Sequence, residues 1–167
     1  MFRFAQTAGG TVLIDVAVLL RRAFLVVATL WVIAIPLAAF AATRAGATQP
    51  IYAFAFGVYS IGHVVCHQLP ARSFHLWNAS LPVCARCTGV YAGAAAASLA
   101  IAISTRPSSV ARSARENPRA VFLIAFVPTA ATLVFEWTTG VMPGHWIRAL
   151  AGVPLGAAVA WAIAMVN

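Results

Sequence analysis

Lysine is absent from this chain, and carboxylates nearly so: eleven arginines face three acidic residues, Asp15, Glu116 and Glu136. Only 8% of the 167 residues are charged while 62% are hydrophobic, a ratio that no soluble domain of this size can keep away from water. The fold class expected is therefore an all-α integral membrane protein. The sequence also lacks a complete hydrolase triad, a phosphate-binding glycine loop and any compact basic-aromatic stretch, so no nucleic-acid partner is expected and the partner is the lipid bilayer. The net charge of +8 reads as an orientation signal instead. There are no internal repeats, and alanine richness is the one compositional bias.

A helix needs roughly 20 apolar residues to span the hydrocarbon core. Four windows approach this, each bounded by a charge: residues 23–43 end at Arg44, 87–105 at Arg106, 120–136 run from Arg119 to Glu136, and 148–166 start at Arg148. Residues 51–66 are apolar but shorter, and they carry Gly57, Gly62 and His63 among Tyr52, Phe54, Phe56 and Tyr59, which suits an interfacial or re-entrant helix. Residues 1–22 read as a cytoplasmic lead-in to a single membrane domain, residues 23–167, with Arg21 and Arg22 anchoring a retained helix; a cleaved export signal is the competing reading.

The loop between the second and third windows holds Arg106, Arg112, Arg115 and Arg119 against Glu116, which makes it cytoplasmic by the positive-inside rule. If residues 51–66 do not cross, seven arginines lie inside and four outside. The second span starts at the cysteines and ends at that loop, and the third returns with Glu136. The fourth then leaves beside His145 and Arg148. One membrane face, extracytoplasmic in this orientation, thus collects Cys66, His67, Arg72, His75, Cys84, Cys87, Glu136, His145 and Arg148. Glu136 at the end of an apolar run needs a partner, and Arg148 is the expected one. Gly89 with Gly93, and Gly152 with Gly156, are small-residue spacings that let helices approach closely just below that face.

The three cysteines admit several readings. As metal ligands, Cys84 and Cys87 form a Cys-x-x-Cys half-site, which Cys66 and His67 complete into a soft four-coordinate shell for zinc or another thiophilic metal, with His63 in reserve. Cys66 and His67 are adjacent, so both reach one ion only if the helix ends there, and Pro70 suggests that it does. As a redox pair, the same spacing at a helix start lets Cys84 be stabilised as thiolate beside Arg86 while Cys87 resolves a mixed disulfide. The plain reading is a Cys84–Cys87 disulfide in a scaffold protein, with Cys66 buried. Metal binding leads; a membrane thiol-disulfide oxidoreductase is the alternative. Glu136, Arg148 and Arg72 are the candidate catalytic groups, although Arg72 also suits a lipid-phosphate anchor. His75 and His145 are weaker candidates.

The segments "CHQLPARSF" and "LPVCARCTGVYAG" closely resemble the signature of a domain-of-unknown-function family of small prokaryotic integral membrane proteins, whose members share C-H-Q-x-P-x-R-S-F followed by P-V-C-A-R-C-T-G-I-Y-x-G. The likeness is dense from Cys66 to Gly93. It is looser at the end, where Glu136 stands in place of a usual aspartate and Ala151 in place of threonine. The resemblance implies a prokaryotic inner-membrane location and makes the Cys/His/Arg72 segment the functional centre. It carries no established activity.

Overall fold

The computed structural model describes residues 8–44, 46, 48–104 and 117–165. The first seven residues of the expected lead-in, the stretch bearing Arg106, Arg112, Arg115 and Glu116, and the last two residues lie outside the described residues. The architecture is all-α: α1 (Ala8–Ala42), α2 (Gln49–Val65), α3 (Ala85–Ile103), α4 (Pro118–Thr139) and α5 (His145–Met165). Between α2 and α3 come a single 3-10 turn, Pro70–Arg72, and a small hairpin of β1 (His75–Leu76) and β2 (Ala79–Ser80).

Among the described residues, four helical segments are long and apolar enough to cross a membrane: Val18–Ala42, Ala85–Ile103, Pro118–Thr139 and His145–Met165. Their outward surface is made of side chains that water would penalise and lipid would not, including Leu30, Leu123, Ile124, Val127 and Leu150, all exposed. Helix α1 starts well before the expected span. Arginine is a good helix former, so Arg21 and Arg22 mark a boundary in hydropathy without breaking the backbone, and lead-in and span form one helix.

Helix α2 has 17 residues and is not one of the four segments long enough to qualify as a span. Near its start the Tyr52 hydroxyl donates to the Arg44 carbonyl (3.3 Å), and further along the Tyr59 hydroxyl donates to Ser80 O (2.6 Å).

The tightest helix pairing is α3 against α5. A Cβ added at Gly89 would strike Ala149 O and one at Gly93 would strike Val153 O, while Gly152 and Gly156 meet Arg86 O and Val90 O in return. Each step of four along α3 is matched by a step of four in the same direction along α5, so the two helices run parallel, with α4 returning between them in sequence. Backbone-to-backbone contact of this kind is the packing that glycine spacing permits in lipid, where apolar burial itself drives little association. Its consequence is positional: it brings Arg148, beside Ala149, against the start of α3, where Cys84 and Cys87 lie.

Candidate functional site

The cysteine end of the bundle is closed by the segment between α2 and α3, and its path is set by local chemistry. Helix α2 stops at Cys66, whose backbone is extended (φ −151°, ψ 145°). Gln68 then turns through positive φ (47°), and its side-chain amide donates to Tyr59 O and Pro82 O, both at 2.7 Å. Gly62 leaves room for this crossing, since a Cβ there would meet Pro82 O and the Gln68 amide. Further along, Trp77 and Asn78 both take positive φ between His75–Leu76 and Ala79–Ser80, giving a two-residue turn that matches strand twist. Trp77 packs edge-on against Phe40 of α1, with ring centroids 5.1 Å apart. The chain is thereby returned to place Cys84 beside Cys66.

The three thiols converge. Their sulfur atoms all lie within 4.8 Å of one another, all three cysteines are free, and the Cys84 amide points at Cys66 Sγ (3.2 Å). Ile35 and Ala39 of α1, with Leu81 and Val83, form the apolar floor against which Cys66 is buried. Cys84 is the N-cap of α3 and Cys87 sits in its first turn, and the backbone N–H groups of Arg86 and Cys87 act on the Cys84 thiol. The Cys84 thiol is pushed down to about 5, chiefly by the hydrogen bond from the Cys87 side chain, with backbone and Cys66 contacts assisting against the opposing effect of burial.

Beside the thiols lies a cavity of about 250 Å³ whose wall includes His67, Arg72, Arg86 and Arg148 as well as the three cysteines. Arg148 is 1% exposed. Glu136, at the end of α4, is buried, and it takes Arg72 Nη2 at 2.6 Å and Arg86 Nη2 at 3.7 Å. Arg86 Nη2 also donates to Thr132 Oγ1 (3.2 Å). This corrects the expected pairing of Glu136 with Arg148, because the described residues make no Glu136–Arg148 ion pair within 4.0 Å. Arg86, the cation expected beside Cys84, borders the same cavity as the thiols and is also engaged with α4. The physical reason is reach: the 3-10 turn and the start of α3 bring two other guanidiniums over the end of α4.

The remaining histidines are placed less centrally. His67 borders the cavity but is not one of the close thiol group, and neither is His63, which is exposed. His75 is exposed on the hairpin, and His145 packs near the Phe74 ring at 5.6 Å. Gln68 and the Arg72–Glu136–Arg86 triad escaped the sequence reading. The Gln in "CHQLP" was the available signal, one polar side chain at a helix break with two carbonyls to satisfy.

Comparison with protein families matches residues 66–162 to the family described as Predicted membrane protein (DUF2085). The chain belongs to that family. The matched range begins at Cys66 and takes in every residue of the thiol cluster and the arginine wall. Among curated proteins, Uncharacterized protein MJ1492 of Methanocaldococcus jannaschii is 44% identical over 36 residues, covering 22% of this chain and 23% of that protein. The alignment thus spans about a quarter of that relative. No solved structure matches significantly.

Proposed function

We propose that this DUF2085 protein binds a thiophilic metal ion such as zinc through Cys66, Cys84 and Cys87, at the extracytoplasmic interface of a prokaryotic inner membrane. The observation that carries the reading is the convergence of three free thiols from two separate segments to within 4.8 Å. An ion bound tetrahedrally at about 2.3 Å from each sulfur would set them about 3.8 Å apart, a contraction that rotamer adjustment can supply. His67 on the cavity wall is the fourth ligand, with His63 in reserve. The extracytoplasmic placement follows from the arginine excess of the loop at the opposite end of α3. Glu136 acts as a positioning residue that holds Arg72 and Arg86 against the cavity.

Thiol alkylation tests this. In detergent-purified protein the cysteines should resist iodoacetamide until a chelator is added, and then all three should label. Immediate labelling with no chelator effect would count against a bound ion.

A second reading is supported by the depressed Cys84 thiol at a helix N-cap. In a thiol-disulfide oxidoreductase the Cys84 thiolate would attack a substrate disulfide and expel one thiolate. Cys87 would then displace the second, leaving a Cys84–Cys87 disulfide and a dithiol product, two electrons having passed to the substrate. That reading requires reversible oxidation of the pair.

A further inference from the structure

The cavity beside the thiols has an excess of cationic wall that the ion pairs of the fold do not use up. Three guanidiniums border it, and among the described residues the one carboxylate that pairs with any of them is Glu136. A divalent ion on three thiolates would contribute one further negative charge, so three positive charges against two negative still leave an excess of one. With no ion bound and one thiol ionised, three positive charges again face two negative. The positive balance therefore holds whether or not the metal reading is right.

The position of that excess is Arg148. Arg72 and Arg86 are ion-paired with Glu136, whereas Arg148 makes no ion pair within 4.0 Å among the described residues; its Nε and Nη1, like Arg86 Nε and both Glu136 carboxylate oxygens, are buried with no hydrogen-bond partner there. A guanidinium is a rigid fork of donors that cannot shed its proton. Leaving two of its nitrogens, with three N–H donors between them, dry and unpaired is costly, so such a group signals a ligand that supplies the missing acceptors. Arg148 is also held stiffly. Its neighbour Ala149 is in backbone contact with Gly89, so the guanidinium has little freedom to withdraw to the interface.

We propose that Arg148, with Arg72 and Arg86 flanking it, forms an oxyanion-binding subsite next to the thiol cluster, taking a phosphate or carboxylate group. The open guanidinium donors match the acceptor oxygens of such a group. A cavity of about 250 Å³ is below the roughly 300–1,000 Å³ typical of drug-sized ligand sites, which suits a small anion or the headgroup of a lipid whose tails stay outside. The subsite places a bound anion beside the thiols, where either metal-centred or thiol chemistry would find it.

The thiols themselves report on the cavity. In metal-stripped, delipidated protein in neutral detergent, an anionic methanethiosulfonate should modify the cavity cysteines about tenfold faster, relative to its neutral counterpart, than it does a model thiol. Inorganic phosphate at constant ionic strength should slow that reaction, and phosphatidylglycerol but not phosphatidylcholine should do so if the source is a headgroup. Arg148→Gln should abolish both the rate advantage and the protection, whereas Arg119→Gln, on α4 away from the cavity, should keep them. If Arg148→Gln fails to fold, the wild-type rate ratio and the phosphate protection decide alone. Protection by phosphate or by anionic lipid supports the subsite and identifies its source. Equal relative rates with no protection by either would overturn it. Metal content is measured separately on unstripped protein, so failure here leaves the metal reading standing, and the reverse also holds.

Discussion

Gly89→Ala tests how the site is held together. Its added Cβ would lie on the carbonyl oxygen of Ala149, with the Ala149 carbonyl carbon at 2.6 Å and Cα at 2.9 Å, all backbone atoms that cannot rotate away. Overpacking in a well-packed interior costs about 1–3 kcal/mol, and an obstacle made of backbone puts this case at the upper end. Alanine recovers roughly 0.5–1 kcal/mol through helix propensity, leaving a net loss of about 2 kcal/mol. Gly57→Ala is the matched control, since nothing lies within 4 Å of a Cβ there and the propensity gain should stand by itself. The assay is reversible unfolding in mixed micelles, with bound metal measured on the same samples. Gly89→Ala should unfold earlier and lose metal, because α5 must move away from α3 and carry Arg148 with it, while Gly57→Ala should match or exceed wild type in both. Equal stability of the two variants would refute the parallel α3–α5 packing and the site geometry derived from it.

Glu136→Gln leaves Arg72 and Arg86 without their counter-charge and should cost about 2–4 kcal/mol, the value being reduced because Arg72 is 39% exposed and partly solvated; unfolding in the same micelles measures it, and a change under 0.5 kcal/mol would contradict the ion-pair assignment. Gln68→Ala removes two side-chain hydrogen bonds that fasten the crossing to Tyr59 and Pro82, and should cost about 1–3 kcal/mol while also shifting the cysteine alkylation pattern. Because Cys84 titrates near 5, lowered from the ordinary thiol value, its thiolate is present above that pH and lost below it. In metal-stripped protein its iodoacetamide rate should therefore be flat from about pH 6 to 8, whereas an ordinary thiol gains about tenfold per pH unit until about 8.5. A rate that climbs through that range would show Cys84 to be an ordinary thiol.

Much of the architecture was readable because hydropathy and charge act locally. The windows ending at Arg106 and running from Arg119 to Glu136 correspond to α3 and α4 within a few residues, and the glycine spacings at 89, 93, 152 and 156 mark the helix pair that does interlock. Span order led to the expectation that Cys66, Cys84 and Cys87 share a membrane face, but their approach to within 4.8 Å depends on the Gln68 crossing and the hairpin that return the chain. The partner of Glu136 was another matter. Arg148 is nearest in sequence on the same face, yet Arg72 and Arg86 reach the carboxylate because the 3-10 turn and the N-terminus of α3 lie over the end of α4, a placement fixed by long-range packing. The role of Gln68 was hidden for a similar reason. Its acceptors, Tyr59 O and Pro82 O, belong to segments on either side of it, and nothing in a periodicity pattern says which carbonyls a fold will leave open.

The most direct test of the metal reading is elemental analysis of the detergent-purified protein beside a Cys84→Ser/Cys87→Ser variant, with free thiols counted on the same samples. The account predicts near-stoichiometric thiophilic metal in the wild type, three reduced cysteines after denaturation in chelator, and no metal in the variant. Metal-free wild-type protein carrying one free thiol and one reducible disulfide would contradict it and would leave the redox pair and the structural disulfide as the readings to separate.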